Sequence, residues 1–129
     1  MSKKTGFDQP FLRAAAVLSG LAVALGAFGA HGLKAHVSPE HLAVFETGVR
    51  YQFYHALALL ALSLAGGRLW ATVWTRATAW LWLGGVLVFS GSLYLLVLTG
   101  QRWLGAITPF GGVAFLAGWA SLILAARRT

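Results

Sequence analysis

The chain has 129 residues, 58% hydrophobic and only 10% charged, with a mean hydropathy of +0.73. Soluble domains carry about a quarter charged residues, so this composition excludes an ordinary water-soluble fold and indicates an integral membrane protein. The net charge of +7 would suit a nucleic-acid binder, but the cations stand between apolar runs and at the termini, as beside membrane spans, and no nucleic-acid partner is expected.

Four apolar runs are long enough to cross about 30 Å of hydrocarbon, which takes roughly 20 helical residues. They lack the two-residue alternation of barrel strands, so each is read as a helix. The first covers residues 11–33. Lys3 and Lys4 before it resemble the start of a secretory signal, but the run is longer than a signal core, and a retained helix is expected. It carries two small-residue stripes, Ala22, Gly26 and Ala30 with Gly29 beside them, and Gly20, Ala24 and Ala27 leading to His31; Gly32 follows. Small residues at helical spacing let membrane helices approach closely.

The second helix is expected over residues 39–66. Ser38-Pro39 combines a capping hydroxyl with a proline suited to the first helical position. Glu46 and Arg50, four apart, can pair on one face, and Gly48, Gln52, His55, Leu59 and Gly66 share about a third of the circumference. The third helix, 77–98, offers Gly84 and Gly91, and also Gly85 and Ser92. The fourth, about 106–126, is opened by Thr108-Pro109, again a capping hydroxyl with a proline, and offers Gly111, Ala114, Gly118 and Ser121. Ser38-Pro39, Phe45 and Gly48 share their offsets with Thr108-Pro109, Phe115 and Gly118, a faint sign of a duplicated helical hairpin. The expected architecture is an all-α membrane protein, one domain over residues 1–129, with four transmembrane helices in a compact bundle.

Lys3, Lys4, Arg13, Arg68, Arg76, Arg127 and Arg128 fall on one side of this arrangement, against Lys34, Arg50 and Arg102 on the other. The positive-inside rule then places both termini in the cytoplasm. Trp70, Trp74, Trp80 and Trp82 crowd the inner interface and Trp103 the outer one, as aromatic belts do.

Polar residues inside a membrane usually face the bundle interior, and their depth is informative. His31 closes the first helix. Glu46, Arg50, Tyr51, Gln52, Tyr54 and His55 occupy the outer half of the second, Ser90, Ser92 and Tyr94 that of the third, and Thr108 opens the fourth. All four helices thus bring polar groups to one half, while the inner half is almost purely apolar. Two readings stay open for this cluster: interhelical hydrogen bonds that fix packing, or a ligand site.

The chain has no cysteine and only three acids, Asp8, Glu40 and Glu46. Thiolate chemistry is excluded, and little remains for acid–base catalysis. Phosphate loops, paired carboxylates and serine elbows are absent, so no enzymatic activity is expected. His31 and His55 could in principle hold a haem, but they differ in depth by roughly 10–15 Å at 1.5 Å per residue. His36 and His41 lack the carboxylate or thiolate support of a zinc site. The acid-free inner half argues against ion transport by a monomer. No cofactor and no metal are expected.

"GAFGAHGL" at 26–33, "YQFYHALALL" at 51–60, "SGSLY" at 90–94 and "TPFGG" at 108–112 together resemble a family of small four-helix membrane proteins of unknown function, typified by bacterial YgdD. The likeness runs from Phe11 to Trp119. It implies the fold and a multi-pass place in the bacterial inner membrane, and no activity. It also puts emphasis on Gly26, Gly29, His31, Gly32, Tyr51, His55, Ser90, Tyr94, Pro109 and Gly111. The function expected is a non-catalytic packing, assembly or accessory subunit of a membrane complex, bound to a membrane-protein partner or to its own copies within the lipids. The alternative is a binder of a lipid or quinone-like headgroup, with haem a weaker variant.

Overall fold

A computed structural model describes residues 9–129; Lys3 and Lys4, used above for charge placement, and Asp8, one of the three acids, lie outside the described residues. Every regular element among those residues is helical. The long helices are α1 (Gln9–His31), α2 (Pro39–Ser63), α4 (Val73–Thr99) and α5 (Thr108–Arg127), with a single turn, α3 (Gly67–Trp70), between the second and third. Short 3-10 segments, Leu33–Ala35 and Arg102–Ala106, lie in the two connections at one end. We call this the capped end and the opposite one, with Arg13, Arg68, Arg76 and Arg127, the basic end.

Local chemistry accounts for most boundaries. The Ser38 hydroxyl accepts a hydrogen bond from the His41 amide at 3.2 Å, and Pro39 takes the first helical position, where its missing N–H costs nothing. Thr72 caps α4 in the same way through the Thr75 amide. That helix therefore starts at Val73 rather than 77, since a helix does not stop where hydrocarbon stops. It ends at Gly100, whose φ of 72° is a left-handed conformation open to glycine. Thr108-Pro109 behaves differently from Ser38-Pro39. The 3-10 segment before it feeds straight into α5, Ile107 sits at the cap position without a side-chain bond, and the Thr108 hydroxyl is directed to α4 instead.

Consecutive long helices pack antiparallel, α1 on α2, α2 on α4 and α4 on α5. No interface of similar extent joins α1 to α5, so the four form a row with α2 and α4 inside. One core, near the basic end, gathers Ala15, Leu59, Leu62, Ala79, Trp82, Val86 and Phe115; a smaller one at the capped end gathers Leu33, Phe45 and Val97. Trp82 belongs to the first core, 1% exposed, and not to an interfacial belt. Trp80 and Trp103 do stand exposed.

Glycine sets the α4–α5 contact. A Cβ on Gly111 would lie 2.4 Å from the Phe89 amide nitrogen, one on Gly85 2.6 Å from the Phe115 ring, and one on Gly118 2.5 Å from Trp82. With the Ser92–Thr108 hydrogen bond above them, these pairs fall at alternating three- and four-residue steps along both helices, the spacing of a left-handed two-helix seam. Each glycine receives an aromatic residue or the backbone beneath one. Gly48 seats Tyr94 in the same manner, and Gly29 seats Phe45 more loosely at 3.1 Å. Gly84 and Gly91, expected at helix contacts, face open space; the working pair is Gly85 and Ser92, one residue along. Gly32 is close only to Phe28 of its own chain segment, and Gly26 makes ordinary contact with Val49.

Three stretches are long and apolar enough to cross a membrane, Pro10–Ala35, Val73–Thr99 and Arg102–Arg127. Within their most apolar windows only 17%, 33% and 22% of residues are buried in the protein, so most of their surface is left for lipid. With 25 residues, α2 is long enough but not apolar enough, because it carries Glu40, Glu46, Arg50, Gln52 and His55. Gln52 and His55 are buried among neighbouring helices.

Candidate functional site

Gln52, 3% exposed, joins three helices. Its amide nitrogen donates to the Leu18 carbonyl of α1 at 2.8 Å, and its amide oxygen accepts the Tyr94 hydroxyl of α4 at 2.7 Å. One turn away, the Ser90 hydroxyl donates to the Gly48 carbonyl of α2 at 2.6 Å. The missing side chain at Gly48 lets the Tyr94 ring lie flat enough on α2 to reach Gln52. Four of the sequence candidates, Gln52, Ser90, Tyr94 and His55, therefore form the inner surface between α2 and its neighbours.

His55 lies one turn further along α2. Its Nδ1 sits 2.9 Å from the Tyr51 carbonyl, and its Nε2 accepts from Trp119 Nε1–H at 3.1 Å. A carbonyl only accepts and an indole N–H only donates, so these partners assign the neutral tautomer with the proton on Nδ1. The imidazole stacks on Phe115 with centroids 3.6 Å apart and planes 7° apart. Both ring nitrogens are engaged, which leaves no lone pair for a haem iron unless the Trp119 bond breaks. His31, the other histidine considered for such a site, is exposed at the last turn of α1 and is not brought to His55.

Ser92 and Thr108 share a hydrogen bond at 2.6 Å, and Ser92 also reaches the Phe89 carbonyl. Tyr51 and Tyr54 stand 40% and 56% exposed on the outside of α2 and meet edge to face. Glu46 and Arg50 are exposed. Among the described residues no ion pair joins them, contrary to the pairing their spacing permits. No group of three or more histidines or acids among the described residues could hold a metal ion.

The roles of several working side chains are not evident from the sequence, which marks Phe115 and Trp70 only for a repeat and an aromatic belt. Trp119 supplies the donor to His55, and Phe115 its stacking surface. Nearer the basic end, Thr78 reaches the carbonyls of Trp74 and Gly118, Thr75 that of Leu69, Ser63 that of Leu60, and the Trp70 indole that of Leu62. The inner half is thus less apolar than the run of residues suggests. Hydroxyls bonding to carbonyls of their own helix raise no hydropathy signal. Only Ser19 Oγ and Trp82 Nε1 are buried without a partner among the described residues.

Two of the grooves on the helix row are lined by candidate residues. The larger, about 530 Å³, lies where α2, α4 and α5 meet and is walled by Tyr51, His55, Phe89, Phe115 and Trp119, with Pro109, Gly112 and Val113 from the start of α5. Its rings form a continuous set, with Tyr51 against Phe89 at 4.8 Å and Phe89 against Phe115 at 5.4 Å. The smaller, about 240 Å³, lies between α1 and α2 and is lined by Gly26, Gly29, Phe45, Glu46, Val49 and Arg50.

Residues 25–112 match a family described as "Protein of unknown function (DUF423)". Over 116 residues the chain is 44% identical to the UPF0382 membrane protein YwdK of Bacillus subtilis (strain 168), covering 90% of this chain and 94% of that protein. It is 48% identical over 105 residues to a UPF0382 membrane protein of Staphylococcus aureus (strain bovine RF122 / ET3-1), covering 81% and 84%. No solved structure matches it. The matched stretch contains Gln52, His55, Ser90, Tyr94 and Thr108, and stops short of Phe115 and Trp119.

Proposed function

Since the chain belongs to the DUF423 family of membrane proteins of unknown function, we propose that it is a non-catalytic accessory or assembly subunit, working through its outward faces and not through the buried part of its polar cluster. The observation that carries this reading is where the cluster's hydrogen bonds go. Gln52, His55, Ser90, Ser92, Tyr94 and Thr108 each bond within the chain, so the cluster acts as a clamp between helices. In the proposal all four long helices span the bacterial inner membrane. The buried position of Gln52 and His55 supports placing α2 among the spans, since their polar groups do not meet lipid. The arginines at the basic end support cytoplasmic termini.

α1 is the surface offered to a partner. It packs through one stripe only, while the stripe with Ala16, Gly20, Ala24 and Ala27 stays exposed and a Cβ at Gly20 would meet nothing within 4 Å. Gly20→Leu is therefore expected to leave the fold intact and release the partner. After extraction in mild detergent, wild-type protein should elute with other protein chains in fixed ratio, and Gly20→Leu without them. Elution of the wild type as a lone monomer would count against this reading.

The larger groove favours a second reading, a binder of a quinone-like ring or lipid. Its volume is within the usual ligand range and its walls are aromatic, with few polar groups. Leucine at Gly112, which lines it, should then expel a ligand that the wild type retains.

A further inference from the structure

We propose that the crevice between α1 and α2 is a site for the headgroup of a zwitterionic phospholipid carrying a primary ammonium, the phosphoethanolamine class. Glu46 and Arg50 line this crevice with Gly26, Gly29, Phe45 and Val49. The two charges stand one turn apart on α2, about 6 Å along the axis. In that order, acid before base, they could pair with each other, yet among the described residues they do not. Both are left facing the same cleft.

In the proposed topology the crevice lies in the outer leaflet at the depth of lipid headgroups. Gly29 and Gly26 lie two and five residues before His31, where α1 ends, or about 3–8 Å below that end. Unpaired charges at this level are costly unless water or headgroups solvate them. The glycines are occupied by α2, Gly29 by the Phe45 ring and Gly26 by Val49, so the floor of the cleft is apolar and its polar groups are the two charges at its rim.

The order of the charges selects the ligand. Glu46 lies nearer the capped end, and Arg50 one turn nearer the hydrocarbon. A phosphoethanolamine lipid anchored by its acyl chains places its phosphate deeper than its ammonium. Arg50 then meets the phosphate with its guanidinium fork, and Glu46 accepts N–H bonds from the ammonium. A choline headgroup has no N–H to give. A glycerol headgroup carries the phosphate without a cation, leaving Glu46 unpaired.

The test is native mass spectrometry of the full chain from detergent micelles doped equally with dioleoyl phosphatidylethanolamine, its N-methyl and N,N-dimethyl derivatives, phosphatidylcholine and phosphatidylglycerol. The wild type should retain phosphatidylethanolamine about two- to fivefold over phosphatidylcholine, the range that one exposed charge pair supplies, with retention falling stepwise along the methylated series. Glu46→Gln should erase the discrimination among headgroups, and Arg50→Gln should lower retention of every phospholipid. The exchanged pair Glu46→Arg with Arg50→Glu, which keeps both charges but inverts their order, should also lose the preference. Equal retention of all five lipids by the wild type would overturn the proposal without any variant, as would an unchanged preference in Glu46→Gln or in the exchanged pair.

Discussion

At Gln52 one side chain does what two would otherwise do. Its amide has a donor end and an acceptor end, and α1 and α4 take one each. Interhelical hydrogen bonds in membranes contribute about 0.6–1.7 kcal/mol each. Gln52→Leu, which removes both, is therefore expected to lower unfolding stability in detergent by about 1–3 kcal/mol. Trp119→Phe keeps a ring beside His55 but removes the indole donor, for an expected loss of about 1 kcal/mol. A thermal or SDS titration of the pure protein checks both, and no change in Gln52→Leu would mean the clamp carries no stability. Gln52 and His55 were legible in the sequence because an amide and an imidazole inside an apolar run have to find partners. Trp119 was not. Its ring is 42% exposed, and tryptophan on a membrane helix reads as a lipid-facing anchor whether or not its N–H is engaged.

Between elements, the decisive feature is where a backbone lies against a neighbour without an intervening side chain. At Gly111 the obstacle to a methyl group is the Phe89 backbone, which cannot rotate aside, so Gly111→Ala should separate α4 from α5 and cost about 1–3 kcal/mol or more. Gly84→Ala and Gly91→Ala, with open space at the Cβ, should be neutral or slightly stabilising. The three variants compared in one unfolding series give the result; equal losses would contradict the α4–α5 register. The sequence showed that the third helix carries small residues at seven-residue spacing, but Gly84 and Gly85 are adjacent and point about 100° apart. Only the partner helix decides between them. α5 does begin at Thr108, but the capping role expected of its hydroxyl was misread for a related reason. A threonine before proline has the form of a cap, and its diversion to Ser92 depends on a helix distant in sequence.

At the scale of the molecule, the row order of α1, α2, α4 and α5 was not legible, because apolar helices all seek neighbours and hydropathy does not rank them. That the chain is built of long apolar helices was legible, since each run lacks strand alternation, whereas the start of α4 at Val73 was set by the Thr72 cap and not by hydropathy. The proposed orientation has a direct check. The chain has no cysteine, so single cysteines placed at Ser2, Arg68 or Thr129 should be labelled by a membrane-impermeant maleimide only after the cells are opened. One at Lys34 or Gln101 should be labelled in intact cells. The reverse pattern would invert the topology and with it the leaflet assigned to the α1–α2 crevice.

The proposed role rests on the buried part of the polar cluster being engaged within the chain and on outward faces left for a partner. Native mass spectrometry of the protein released from its own membrane tests this most directly. The expected spectrum is a fixed-ratio protein assembly, in which dissociation yields this chain without the mass of a haem or quinone. A monomer carrying a stoichiometric haem or quinone, and no protein partner, would contradict it.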